Sequence, residues 1–161
     1  MHTRRRLLPI GLMFLVACQN ATGVNQGVTV SITASRDVVS ATQPVDIAVT
    51  VVNQSSRPAS VSIHCGPHFL VLTWQQRPVG PPGRICAISA YAPRVLAPGE
   101  SFTFRDRWSG DGGERDARPA HRLPPGTYRL VGQVVSRVFG HWRELTSEPV
   151  PIAVVAEPAT P

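Results

Sequence analysis

Apolar residues that recur at every second position, in short runs closed by Pro-Gly turns, constrain this chain more than any other feature. The stretch from Leu96 to Val138 shows the pattern best. Leu-Ala-Pro-Gly-Glu turns into a run with Phe102, Phe104 and Trp108 at even positions and Ser101, Thr103, Arg105 and Arg107 opposite, broken only by Asp106. Pro124-Pro125-Gly126 then opens a second run, with Tyr128, Leu130, Gly132 and Val134 on one side. Successive side chains of a strand point to opposite faces, so each run is a half-buried strand with an apolar face to cover.

The same alternation predicts strands over Val28 to Ala34, Val45 to Val52 and Ala59 to Cys65, and extended structure over Phe69 to Trp74 and Ile85 to Tyr91. Trp142 to Val155, interrupted by Pro149 and Pro151, reads as a kinked edge strand. Gln75 to Arg84 is so rich in Pro and Gly that no ladder is expected there, only a stiff, protruding excursion. Ser109 to Pro119 reads as a mobile loop. No segment of useful length after residue 18 has a helical period. Seven to nine short strands with such turns predict an all-β, two-layer antiparallel immunoglobulin-like β-sandwich over residues 28–155, with a frayed tail at 156–161. Tyr128, just after a turn into a late strand, resembles the tyrosine corner of immunoglobulin-like sandwiches.

The first 17 residues stand apart. Arg4, Arg5 and Arg6 precede an apolar run from Leu7 to Ala17, too short to span a bilayer, so the segment reads as a signal peptide. Its end, Leu15-Val16-Ala17-Cys18, resembles the lipobox of bacterial lipoproteins, which implies a lipidated Cys18 as first mature residue and an extracytoplasmic domain anchored to a membrane. Gln19 after that Cys favours the outer membrane by the same resemblance. Residues 18–27 are polar and predict a short flexible tether.

With Cys18 acylated, Cys65 and Cys86 remain as an even pair in an oxidising compartment. A disulfide is expected, two buried free thiols being the alternative. Every basic residue is Arg, and removing Arg4, Arg5 and Arg6 from 16 leaves 13 against 10 acidic residues, a scattered surplus that argues against nucleic acid as a partner.

His64-Cys65-Gly66-Pro67-His68 is the one cluster with metal-ligand chemistry, but neighbours on a strand face apart and a disulfide consumes the thiolate. These histidines are expected at the surface, flanking a structural Cys. Asp111, Glu114 and Asp116 lack the spacing of an EF-hand calcium loop. Ser and Thr alternate along strands without a base and an orienting acid, so no enzymatic activity, metal or cofactor is expected.

Leu96-Ala97-Pro98-Gly99-Glu100-Ser101 before an aromatic strand ending in Trp108, and Pro125-Gly126-Thr127-Tyr128 opening the next, resemble a BsuPI-like intracellular proteinase inhibitor domain. Val45 to Pro58 resembles that family's extended strand with its Asn-led turn. The resemblance covers Val28 to Val138 and implies a small immunoglobulin-like sandwich and a protease as target. The exposed Pro-rich excursion is the expected partner-binding loop, through Arg77, Pro78, Val79, Pro81, Pro82 and Arg84, because a stiff loop loses little entropy on binding. The expectation is a membrane-anchored, non-catalytic protein-binding module of the bacterial envelope. The alternative is a structural accessory domain that pairs through its last edge strand.

Overall fold

In the computed structural model, the structure describes residues 23–25, 27–63, 66–81, 92–113, 121–138 and 141–156. Cys18, Cys65, Cys86, Pro82 and Arg84 lie outside them, as do Ile85 to Tyr91, so the lipidation site, the expected disulfide and part of the predicted loop do too. The described chain is an all-β sandwich, antiparallel apart from one short parallel pairing.

One layer has the order β1 (Gly23–Asn25), β2 (Val28–Ala34), β4 (Val45–Asn53) and β9 (Ser101–Trp108). Its register sets Ile32 beside Val49 and Val49 beside Phe104, so the alternating residues of three strands become one inner face. Val45, Ile47, Val49 and Val51 are almost fully buried there. β1 corrects the expectation of a free tether through residue 27. Gly27, at φ +87°, turns the chain and residues 23–25 pair along β2 instead.

The other layer is built on β12 (Gly126–Val138), 13 residues long. Along one side of it run β14 (Val150–Val154) and then β13 (His141–Thr146). Along the other run β6 (Phe69–Leu72) and then β5 (Ala59–Ile63). Farther out, β3 (Val38–Val39) pairs in parallel with β14, β7 (Pro78–Gly80) with β6, and β8 (Ala92–Leu96) with β5.

Two sequence expectations change here. The Pro-bearing β14 is not an edge, since it lies between β3 and β12. Odd-numbered amides of this strand face β3, as Ala153 N–H donating to Asp37 and Val155 N–H donating to Val39 show, and Pro151 falls beyond the end of β3. Its missing donor therefore breaks no ladder bond. The predicted excursion also contains a ladder: Pro78 opens β7, where a strand tolerates proline, and Gly80 pairs with Val71.

On the side of β14 and β13 the pairing of β12 breaks at Gly132, which on the other side still pairs with Phe69. There Ser147 replaces a regular rung, its N–H donating to Gly132 O at 2.9 Å and its Oγ accepting from Gly132 N at 2.8 Å. A Cβ at Gly132 would lie 3.1 Å from Val49 Cγ1, which shows how closely the layers approach. On the opposite side Gln133 N–H donates to His68 O. His68 is not at the surface as expected. It is buried, its ring stacked on Phe104 with centroids 3.6 Å apart, because the chain dips into the core before β6.

Two motifs fix the turns. Tyr128 Oη donates to Pro124 O at 2.9 Å, the hydrogen bond of a tyrosine corner. Asn53 is fully buried and joins its own turn to the Leu-Ala-Pro-Gly-Glu turn, its Nδ2 donating to Arg57 O and Leu96 O and its Oδ1 accepting from Ser55 N and Oγ. Glu100 completes that corner by accepting from Ala97 N at 2.9 Å and pairing with Arg94 at 3.1 Å, and these contacts hold its carboxyl below the usual carboxylate range.

Candidate binding face

Each sheet has an inner face in the core and an outer face toward solvent, and the two outer faces differ in chemistry. On the four-stranded layer the outward residues of β2, β4 and β9 include Thr33, Ala48, Thr50, Thr103, Arg105 and Arg107. They are small, hydroxylated or charged, and Thr50 and Thr103 hydrogen-bond to each other at 2.9 Å. An open groove over them is lined by Thr33, Ser35, Asp46, Arg105 and Arg107 among others. It places the hydroxyls of Thr33 and Ser35 in a groove that also carries the carboxylates of Asp46 and Asp106.

On the β12 layer the odd residues of β12 face outward. Cross-strand partners share a face, which places Val38, beside Ala153 and Thr127, on that side. Val155 continues the alternation of β14. Trp142 and Val95 belong to the row that crosses Arg137 and Ser60. Trp74 follows Leu72 around the tip of the β6–β7 hairpin, and the guanidinium of Arg129 lies over its ring at 3.8 Å. These five are the exposed large apolar side chains among the described residues: Val38 39%, Trp74 62%, Val95 60%, Trp142 50% and Val155 38%. All five share this face, and none is on the other.

The hairpin tip that carries Trp74 is built from local bonds. Gln76 N–H donates to Thr73 O at 3.0 Å, Thr73 N–H to Arg77 O at 2.9 Å, and Arg77 N–H to Thr73 Oγ1 at 3.2 Å. Gln76 sits at φ +63°, a left-handed turn conformation.

Of the residues predicted for the binding loop, Arg77 and Pro78 are exposed on this hairpin, beside Trp74. Val79 and Pro81 are half-buried, and the Gly80-Pro81 peptide is cis. Val79 packs on the core, and its carbonyl accepts from Gly113 N at 3.0 Å. That bond ties the loop to β10 (Asp111–Gly112), which lies inside the segment expected to be a mobile loop and pairs with β11 (His121–Arg122) beyond it. Trp108 Nε1 donates to Asp111 O at 2.8 Å, and Ser109 Oγ donates to the Asp111 carboxylate at 2.6 Å. Glu114 and Asp116 lie outside the described residues, and among the described residues no three His, Cys, Asp or Glu side chains gather as a metal site would need.

Sequence reasoning put Trp74 in an apolar run and Trp142 at the start of an edge strand, and gave neither a role. The signal was present at Trp74, where Gln-Gln-Arg-Pro follows at once: a large ring at the last apolar position before a polar turn has no core to enter. Trp142 carried no such mark, because its exposure depends on which face of β12 its strand joins.

No family model matches the chain, and no curated protein matches it. Among solved structures it is similar to the C-terminal domain of Wzt, at 13% identity and a TM-score of 0.51, covering 81% of this chain and 75% of that one. The ApaA protein from Bordetella pertussis aligns at 23% identity and a TM-score of 0.41, over 83% of this chain and 95% of that one. A β-glucosidase from Listeria innocua aligns at 12% identity and a TM-score of 0.39, over 79% of this chain but 16% of its own length. The likeness to the Wzt domain is one of fold alone, and the fold it shares is the all-β sandwich described above.

Proposed function

We propose that this chain is a non-catalytic protein-binding module of the bacterial envelope, carried on a lipid at Cys18, and that it binds through the outer face of the β12 layer. The observation that carries the reading is the asymmetry of the two outer faces. Trp74, Trp142 and three valines are exposed on one, and the other is polar. Exposed Trp beside Arg is the composition of protein contact surfaces. Arg77 and Pro78 of the expected binding loop border the same face, which extends that loop into a surface.

The direct test uses the full chain in a living bacterium, with a photo-crosslinking amino acid at position 74, 142 or 50. Protein adducts from 74 and 142, with none from 50, are the expected result. Equal yields from all three would remove the face. Protease inhibition is the sharper version, supported by the resemblance to a BsuPI-like domain. Titration against subtilisin-type and other serine proteases should then show a stoichiometric fall in activity that Trp74→Ala weakens. Flat curves would leave binding without inhibition.

A further inference from the structure

We infer that the partner seated on this face is a second copy of the same chain, the two β12 layers packing face to face about a twofold axis. The inference rests on the reading of the face as a protein-binding surface and names what occupies it.

Size is the first argument. The layer's eight strands, β3, β14, β12, β6 and β7 toward the start of β12 and β13, β5 and β8 toward its end, hold 43 residues. At about 4.8 Å between strands and about 3.3 Å per residue, the face covers roughly 700 Å². That is close to what each partner contributes to a stable interface of standard size.

Placement is the second. The exposed apolar side chains stand at the corners of this face. Val38 and Val155 occupy the β3 side near the start of β12, and Trp74 the β7 side at the same end. Trp142 occupies the β13 side near the end of β12, and Val95 the β8 side there. The two tryptophans are therefore diagonal to each other, and so are the valines.

An isologous contact must be complementary to itself. A twofold axis in the plane of the face, along β12, lays Trp74 on the partner's Val38–Val155 corner and Trp142 on its Val95. An in-plane axis across the strands lays Trp74 on Val95 and Trp142 on the Val38–Val155 corner. Either way each large ring meets a small aliphatic corner and no ring meets a ring. Sheets packed about 10 Å apart need this pairing of large with small.

The experiment co-expresses two differently tagged full-length copies, with the photo-crosslinking amino acid at position 74 of one. Self-pairing yields an adduct bearing both tags, the crosslink mapping to the segment around Val95 or around Val38 and Val155. Trp142→Arg, and independently Val95→Arg, should lower that adduct at least tenfold, while Thr50→Arg leaves it unchanged. Adducts with one tag and a different protein would overturn self-pairing and leave the face as a binding surface. A two-tag crosslink mapping to Trp74 or to the four-stranded layer would overturn the proposed packing, and no adduct at all would remove the face with it.

Discussion

Asn53 shows how one side chain holds distant parts of this chain together. Its amide satisfies two carbonyls, from Arg57 and Leu96, and accepts two donors from Ser55, while its own backbone bonds Gly99 and Glu100. Truncation would leave several buried polar groups without partners, each at about 1–3 kcal/mol. Asn53→Ala is expected to lower stability by about 2–4 kcal/mol in urea unfolding, given partial rescue by water. A loss under about 0.5 kcal/mol, the level of an ordinary surface change, would show that the two turns hold without it. Asn53 also explains why the Asn-led turn and the Leu-Ala-Pro-Gly-Glu turn occur in one sequence, since they are two sides of one corner.

Among elements, β7 and β10 show ladder structure in segments whose composition argued against it. Gly112 makes the contact: a Cβ there would lie 2.3 Å from Leu123 Cδ2 and 2.6 Å from Val79 O. The leucine end can rotate away, but the carbonyl belongs to the backbone of β7. Gly112→Ala should therefore separate β10 from β7 and cost about 1–3 kcal/mol, as overpacking does. Limited proteolysis should then cut faster near Arg77. Unchanged stability and cleavage would mean that the Val79–Gly113 bond does not restrain the loop. The restraint bears on binding, because it fixes the hairpin that presents Trp74, Arg77 and Pro78.

For the molecule as a whole, the expected Cys65–Cys86 bridge would reinforce pairings already in the sheet. Cys65 falls between β5 and β6 in sequence, Cys86 between β7 and β8, and β5 pairs with β8 as β6 does with β7. A bridge closing a loop of about 20 residues stabilises by roughly 3 kcal/mol. Reduction of the oxidised protein should lower its unfolding free energy by about that amount, and Cys65→Ser with Cys86→Ser should abolish the effect. Equal stability with and without reductant would mean two free thiols.

The period-two runs and Pro-Gly turns were enough to derive the class of fold, the tyrosine corner at Tyr128 and the inner faces of β2, β4 and β9. Those features depend on local alternation and turn chemistry, which a sequence displays directly. Whether β14 is an edge, whether Pro78 to Gly80 pairs and where His68 points were decided by neighbours far away in sequence. Val38–Val39 covers β14, Phe69–Leu72 and Asp111–Gly112 hold β7, and Phe104 receives the His68 ring. The candidate face belongs to the same class. Alternation shows that half of each strand points outward, but only the assembled sheet brings Val38, Trp74, Val95, Trp142 and Val155, from separate strands and turns, onto one side. Their common exposure is a product of strand order and register, and those are set by long-range pairing.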